Sequence, residues 1–312
     1  MAITRRLALK VLATAGATAG ATALPRPASA AVVAAPSDAL GMLYDTTRCI
    51  GCKACVSACV EANAMEPDRR GIEGNLYLAP VDLNGQTRNI IKLYDGEPAT
   101  SFVKQQCMHC LDPACATACM LGALKKREYG VVTYQPEYCV GCRYCQMACP
   151  FGIPKFEWSK IFNPKIVKCE LCHHRYDASL ATGADGFTRF TRGHGPACCE
   201  VCPREAVIYG RRTELLAEAR RRIEANPGRY YQNRIYGETD AGGTQVLYLS
   251  HVPFEKLGLP EIGGRSPAAR TRAVQHIIHQ DFIVPAVAYA ALGFVMYRRR
   301  KAEEVKSGGG ER

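Results

Sequence analysis

Cysteine spacing constrains this chain more than any other feature of its sequence. Seventeen of the 312 residues are cysteine, and sixteen of them fall into four groups of four. The groups that begin at Cys49 and Cys139 have the spacing C-x2-C-x2-C-x3-C, which is typical of bacterial ferredoxins. The group that begins at Cys107 has two more residues in its second gap, and the last group is split into pairs at Cys169 and Cys198.

This spacing predicts four [4Fe–4S] clusters. Two-residue gaps let a tight loop place three thiolates around one face of a cubane, while the fourth cysteine is directed to another cluster, so such groups occur in pairs. The sixteen predicted iron ligands are Cys49, Cys52, Cys55, Cys59, Cys107, Cys110, Cys115, Cys119, Cys139, Cys142, Cys145, Cys149, Cys169, Cys172, Cys198 and Cys202. Structural zinc remains an alternative, although a closed zinc site gives no reason for three evenly spaced thiols and a displaced fourth. Disulfide bonds are less favoured, because cysteines three apart in such loops are poorly placed to bridge.

Three residues beside the ligands are interpreted as non-ligands. Cys199 is left over because its neighbour Cys198 has the spacing to Cys202 that the motif requires, and we expect it to be a small buried residue. Cys199 would become the ligand in place of Cys198 if the spacing of the ligands were shifted by one residue. His109 and His173 also adjoin ligand cysteines, but the cysteine set is complete without them.

The first thirty residues resemble a twin-arginine export signal. They contain the pair Arg5-Arg6, a mildly hydrophobic stretch rich in Ala, Gly and Thr, and the small-x-small pattern Ala28-Ser29-Ala30. An ordinary Sec leader is the alternative, since such leaders also carry arginines. The predicted cargo favours the twin-arginine route, because a protein that acquires clusters in the reducing cytoplasm has to fold before export. We therefore predict a signal peptide at 1–30.

Residues 282–297 carry no charge and run directly into the basic cluster 298–301. We predict a transmembrane anchor at 282–297, preceded by a linker at 265–281 and followed by a cytoplasmic tail at 298–312. The sixteen residues of the anchor would span about 24 Å of helix, against a hydrocarbon core of about 30 Å, and a buried core helix is the alternative. Because basic residues stay in the cytoplasm, the globular part would face the periplasmic side of the inner membrane.

Two histidines, His276 and His279, precede this segment one helical turn apart. We interpret them as polar residues at the membrane interface, with contact to a haem or quinone in a membrane partner as the alternative.

Short β-rich runs beside the cysteine loops indicate small α+β modules. Strands are predicted at 131–134 and 207–209, and the clearest helix at Arg212–Ala225, ended by Asn-Pro-Gly at 226–228. The segment 180–195, rich in Gly, Thr and Ala, predicts a surface loop inside the split group.

Four groups in this order, the last of them split, resemble the four-cluster electron-transfer subunits of membrane-bound oxidoreductases. This superfamily contains the beta subunits of formate dehydrogenases and the iron–sulfur subunits of hydrogenase-2-type enzymes. The runs 231–238, 242–249 and 252–260 are most similar to the hydrogenase-2 type. A leader of the chain's own favours the same type, since formate dehydrogenase beta subunits are typically exported with a partner's signal.

The fold class that the resemblance implies is α+β, with two ferredoxin-like bi-cluster modules, the second inserted in the first, plus one C-terminal transmembrane helix. The first module would comprise 31–95 and 166–264, including a C-terminal extension, and the inserted module 96–165.

The resemblance also implies which cysteines share a cluster, which spacing alone does not show. The first group would pair with the fourth, and the second group with the third. Carried onto this chain, the four implied ligand sets are Cys49, Cys52, Cys55 and Cys202; Cys59, Cys169, Cys172 and Cys198; Cys107, Cys110, Cys115 and Cys149; and Cys119, Cys139, Cys142 and Cys145.

The function that the resemblance implies is a non-catalytic relay. Electrons would pass from a periplasmic nickel–iron uptake hydrogenase, with its small and large subunits, through four clusters to an integral membrane subunit that reduces quinone. The alternatives are the beta subunit of a periplasmic formate dehydrogenase and a structural zinc protein. The sequence contains no nucleophile elbow, P-loop or dinucleotide-binding run. The net charge of +11 falls to about +7 once four basic residues leave with the leader, and nucleic-acid binding is not expected.

Overall fold

A three-stranded mixed sheet organises the globular part of this computed structural model, which describes residues 34–68, 80–158, 160, 164–273 and 283–307. The sheet contains β1 (Leu40–Asp45), β10 (Val207–Arg211) and β11 (Val246–Leu249) in the order β10-β1-β11. Strand β1 runs antiparallel to β10 and parallel to β11. Every residue of β1 and β11 is buried, so the sheet is covered on both faces.

The two faces of this sheet pack against different parts of the chain. Alternate residues of a strand point to opposite faces, which places Leu43 on one face and Tyr44 on the other. Leu43 packs with Leu215 and its neighbours on helix α5 (Arg212–Ala225). Tyr44 and Tyr248 belong to the larger core, which also contains the buried ligand candidates Cys55, Cys107, Cys169 and Cys198. The sheet therefore separates a helical layer from the cysteines.

Close packing explains the glycine in β1. A Cβ on Gly41 would collide with the backbone carbonyl of Gln245. The Gln245 side chain crosses the same junction, where its amide donates hydrogen bonds to the carbonyls of Leu40 and Tyr129. Strand β1 and the segment that leads into β11 thus meet with no room for a side chain at position 41.

Each cysteine group leads into a short helix. These helices are α1 (Ala54–Ala62), α2 (Ala114–Thr117), α3 (Tyr144–Ala148) and α4 (Ala197–Glu200). The other strands form two-stranded antiparallel ladders: β2 (Asn89–Tyr94) with β3 (Ser101–Gln106), β4 (Leu124–Lys126) with β5 (Val132–Tyr134), β6 (Lys155–Phe156) with β7 (Ile166–Val167), and β8 (Leu180–Thr182) with β9 (Thr188–Phe190). This mixed content of small helices and strands is that of a ferredoxin-like domain.

The secondary structure confirms three predictions and corrects one. Helix α5 has the predicted bounds, and β5 and β10 lie at the two predicted strands. The prediction of a loop throughout 180–195 is wrong, because β8 and β9 form a hairpin there. The turn explains the error: Gly186 has a φ of +80°, and the Asp185 carboxylate accepts a hydrogen bond from the Phe187 amide at 3.3 Å. Gly and Asp mark the turn, while the three-residue strands on either side are too short to show a pattern.

The C-terminal helix α6 (Ile283–Ser307) has 25 residues and belongs to a different unit from the globular part at 29–271. It covers all but the first residue of the predicted anchor and continues through the basic cluster. Pro285 lies in its first turn, where a missing N–H costs no helical hydrogen bond. Among the described residues, no helix combines the length and the apolar content needed to cross a membrane. The leader 1–30 and the histidines at 276 and 279 lie outside the described residues.

Candidate iron–sulfur sites

The first cavity brings together cysteines that are far apart in sequence. It is lined by Cys49, Cys52, Cys55 and Cys202, the first set implied by the resemblance. Gly51 and Lys53 have φ values of +70° and +58°, which turn the loop tightly around this cavity. The Gly51 amide donates to the Cys49 Sγ at 3.4 Å, and a Cβ on Gly51 would collide with the Phe102 ring.

The second cavity is lined by Cys59, Cys169, Cys172 and Cys198, the second implied set. Its loop turns through Leu171 and Cys172, both with positive φ, and the Leu171 amide donates to the Cys169 Sγ at 3.4 Å. The Asn63 side-chain amide lies 3.6 Å from the Cys59 Sγ and 4.0 Å from the Cys172 Sγ. Sequence analysis missed Asn63, although its position four residues after Cys59, at the end of α1, was a usable signal.

The remaining eight cysteines also lie together in the implied sets. The thiolates whose charges raise the pKa of Cys110 most strongly are those of Cys149, Cys107 and Cys115. The pKa of Cys145 is raised in the same way by Cys119, Cys139 and Cys142. At this last site, the Ala123 amide donates to the Cys119 Sγ at 3.2 Å. The structure thus brings together every predicted ligand, and ligation of iron by each of them stays a prediction.

Burial decides the protonation of most of these thiols. Desolvation disfavours a thiolate, and it raises the pKa of Cys55 to about 12 and the pKa of both Cys107 and Cys145 to about 11. Repulsion by neighbouring thiolates also contributes to these raised pKa values. Cluster assembly therefore has to displace protons, as metal binding to cysteine generally does. In the holoprotein, the same burial keeps water away from the sulfurs.

Cys198 and Cys199 differ in the direction of their pKa shifts. A hydrogen bond from the Cys199 thiol lowers the pKa of Cys198 to about 6, with a smaller effect of the same sign from the nearby Lys104 charge. Burial and the adjacent Cys198 thiolate raise the pKa of Cys199. Cys199 is half-buried and packs on the main core without lining the second cavity. Its position supports the interpretation of Cys198 as the ligand.

The two histidines have other partners. His109 is fully buried, its Nδ1 accepts a hydrogen bond from the Val132 amide at 3.0 Å, and burial lowers its pKa well below the usual value. The His173 Nε2 lies 3.4 Å from the Glu128 carboxylate. Among the described residues, no three His, Cys, Asp or Glu side chains are arranged to hold a single metal ion. A [4Fe–4S] cluster makes a different demand, since each of its four irons takes one thiolate.

Two buried lysines and a carboxylate also lie among the cysteines, and sequence analysis missed all three. Lys104 and Lys168 are almost fully buried near the ligand candidates. The Glu170 carboxylate accepts hydrogen bonds from Arg88 at 2.9 Å and from the Tyr134 amide at 3.0 Å. Each of the three had a signal in the sequence. Lys168 and Glu170 flank Cys169, and Lys104 is a charged residue in strand β3, at a position where an apolar residue is expected.

Comparison with known proteins gives matches over most of the chain. Residues 98–212 match the family model described as the 4Fe-4S dicluster domain. The hydrogenase-2 operon protein HybA of Escherichia coli O157:H7 is 36% identical over 92% of this chain and 93% of its own length. The nitrate-inducible formate dehydrogenase iron–sulfur subunit of Escherichia coli K12 is 34% identical over 67% of each chain. The formate dehydrogenase iron–sulfur subunit of Haemophilus influenzae is 30% identical over 82% of this chain and 78% of its own.

Proposed function

We infer the function from the premise that this chain belongs to the family of iron–sulfur electron-transfer subunits that includes the hydrogenase-2 protein HybA and the formate dehydrogenase iron–sulfur subunits. Its cofactors are [4Fe–4S] clusters. We propose that it holds four of them in the four cysteine sets described above, and that it relays electrons without catalysing a reaction of its own.

One observation carries this proposal: the four cysteine sets form a row in the sense that each set adjoins the next. Cys55 of the first set, Cys198 and Cys169 of the second and Cys107 of the third pack in one core cluster, and Cys115 of the third packs with Cys145 of the fourth in another. The charge of Cys198 raises the pKa of Cys55, that of Cys169 raises the pKa of Cys107, and that of Cys145 raises the pKa of Cys115. Each set therefore has its neighbour within electrostatic range, which is the arrangement that a multi-step relay requires.

The two ends of the row are open to solvent. Cys52 of the first set and Cys142 of the fourth are exposed, whereas all four cysteines of the second set are buried. Large apolar side chains flank the fourth set, with Val140 and Met147 exposed by 74% and 83%. Electrons would enter at one end and leave at the other, and exposed apolar side chains at an end are suited to contact with a partner subunit.

The protein's part in the transfer is to hold, space and shield the redox centres. Each cluster, when bound, accepts and releases one electron. The thiolates bind it, and backbone amides such as those of Gly51 and Leu171 donate to cysteine sulfurs and stabilise negative charge there. Burial of the second set, and of Cys107 and Cys115 in the third, excludes water, so charge is moved within an interior of low dielectric constant.

For the partners, we propose a periplasmic nickel–iron uptake hydrogenase as donor and an integral membrane subunit that reduces quinone as acceptor. The match to HybA, over 92% of this chain, supports the hydrogenase type over the formate dehydrogenase alternative. We further propose twin-arginine export, an anchor at 282–297 in the inner membrane, and an inserted module at 96–165. The basic residues after the anchor support the orientation.

Cluster content tests the proposal most directly. Iron and acid-labile sulfide should each be present at about sixteen atoms per chain, four per cluster, in anaerobically purified protein. Cys198→Ser should lower the iron content towards twelve, while the matched control Cys199→Ser should leave it unchanged. Zinc without labile sulfide would refute the cluster proposal. Loss of iron from Cys199→Ser alone would mean that the ligand register is shifted by one residue.

Co-purification from membranes tests the partner. A nickel–iron subunit should be recovered with the chain. Recovery of a molybdopterin subunit in its place would assign the protein to the formate dehydrogenase branch.

A further inference from the structure

Lys104 lies at the junction between the first two cysteine sets. It is only 1% exposed, and the Tyr248 hydroxyl holds its strand in place by donating to the Lys104 carbonyl at 2.7 Å. Its ammonium donates to the Gln106 side-chain oxygen. The ammonium also forms a hydrogen bond with the Cys198 sulfur, and the thiolates whose charges act most strongly on it are those of Cys198, Cys55 and Cys169, which come from both sets. This lysine is therefore inside the proposed relay and not at its surface.

Lys168 occupies the next junction in the same way. It is 2% exposed, and its ammonium donates to the carbonyls of Val132 and Cys169, the latter at 3.0 Å. Its charge acts on Cys169 of the second set and on the third set through Cys107 and Cys115. The second set thus borders both lysines.

Neither ammonium is neutralised by a carboxylate within the described part of the chain. Two other lysines do form ion pairs there, Lys155 with Asp82 and Lys160 with Glu157. The two buried ammonium groups donate hydrogen bonds to the Gln106 side-chain oxygen and to the backbone carbonyls of Val132 and Cys169. The Gln106 amide is itself oriented, because its Nε2 lies 3.0 Å from the Met42 Sδ and leaves the oxygen for Lys104. Burying a cation is costly unless an anion compensates it. The anions that can compensate the charges of Lys104 and Lys168 are the cysteine thiolates and the clusters that the thiolates would bind.

We propose that Lys104 and Lys168 each place a positive charge between successive clusters and thereby raise the reduction potentials of the clusters on either side. This inference rests on the proposed function. A cluster with four thiolate ligands is an anion that gains one further negative charge when one electron enters, so a nearby cation stabilises the reduced form more than the oxidised form. The effect is strong because both charges are buried, where electrostatic interactions are little screened.

The location of the lysines makes the effect selective. Lys104 acts on the first and second clusters, and Lys168 on the second and third. Neither lysine is among the groups that shift the pKa of Cys145 in the fourth set, so we expect the smallest effect there. The second cluster receives both contributions, so its potential should depend most on buried lysine charge.

Potentiometric titration of the full-length holoprotein, followed by electron paramagnetic resonance, tests this selectivity. Lys104→Met should lower two of the four midpoint potentials, each by at least tenfold in the equilibrium constant for one-electron reduction, or about 59 mV. Lys168→Met should also lower two. The double variant should lower three, one of them by the sum of the single shifts. The matched control Lys256→Met, at an exposed lysine that contacts only the Glu97 carbonyl among the described residues, should leave all four unchanged.

Charge-retaining variants separate tuning from a structural role. Lys104→Arg and Lys168→Arg should keep the native potentials. Unchanged midpoints in iron-replete Met variants would overturn the inference, as would an equal shift of all four clusters. Loss of iron from both Met variants would overturn it as well, in favour of a role in cluster assembly. Absence of clusters from the unmodified protein would instead refute the proposed function.

Discussion

Replacing Arg222 should lower the free energy needed to open helix α5 locally, by an amount that follows from the contacts of its guanidinium. The Arg222 guanidinium lies 3.2 Å from the Asp45 carboxylate at the end of β1, and the two side chains are 4% and 0% exposed. Arg222 also pairs with Glu218 one turn earlier at 2.7 Å. Asp45 accepts further hydrogen bonds from the Tyr230 hydroxyl at 3.0 Å and the Thr47 hydroxyl at 2.7 Å. This ion pair ties the helix to the sheet just before the first cysteine loop.

The magnitude follows from the burial of the pair. Arg222→Met keeps most of the alkyl packing but leaves the buried Asp45 carboxylate with only the partly exposed Arg48 guanidinium, 3.8 Å away, as a cation. The expected cost is therefore at the lower limit for breaking a buried pair, about 3 kcal/mol. At 1.36 kcal/mol per tenfold change, the lower limit of about 3 kcal/mol corresponds to about 160-fold in the equilibrium for opening α5. Arg221→Met is the matched control. Arg221 also pairs with Glu218 at 2.7 Å, but its side chain is 66% exposed, and such pairs are worth about 0–1 kcal/mol.

Native-state hydrogen exchange of peptides covering 212–225, measured by mass spectrometry on the holoprotein, reports this local opening without global unfolding. Exchange in Arg222→Met should be at least about a hundredfold faster than in the unmodified protein, and in Arg221→Met at most about fivefold faster. An Arg222→Met protein that exchanges like the Arg221→Met control would refute the assigned energetic role of the buried pair.

Three further predictions concern the first cluster loop and the two ends of the chain. Gly51→Ala should cost about 1–3 kcal/mol in backbone strain, and its new Cβ would collide with the Phe102 ring. Iron analysis should therefore show about four irons lost per chain. A full complement of iron in this variant would contradict the argument that the loop has to turn tightly at Gly51. Deleting 282–301 should release cluster-bearing protein from the membrane fraction, and retention would mean that a partner alone holds it. Changing Arg5 and Arg6 together to Lys should trap the protein in the cytoplasm, as judged by fractionation, whereas normal export would favour the Sec route.

Spacing made the ligands predictable because it reflects local geometry. A loop that wraps a cubane needs its thiolates at fixed short intervals. The cysteine runs that begin at Cys49 and Cys139 can therefore be recognised without knowledge of the tertiary structure. Helix α5 was predictable for a similar reason, since charges, periodicity and a Pro-Gly stop all lie within one segment. The split pairs at Cys169 and Cys198 needed a family resemblance, because no local rule joins cysteines separated by a hairpin.

Long-range contacts were not predictable in this way. The hairpin of β8 and β9 depends on Glu214 of helix α5, which accepts hydrogen bonds from the Thr188 amide and hydroxyl, each at 2.7 Å. Glu170 similarly joins its own loop to β5 through the Tyr134 amide. Neither partner is near in sequence, and the residues involved are ordinary polar types.

The number of thiols that this protein offers to iron, and their grouping, can be read from the sequence, because the wrapping of a cluster by a short loop is a local problem. The packing of cysteines from different groups against one another, and the burial of Lys104 and Lys168 among them, are seen only in the folded chain. Lysine in a sequence indicates a solvent-exposed cation, and burial depends on strands and loops that are far apart along the chain. The electrostatic environment of a relay is therefore a property of the fold.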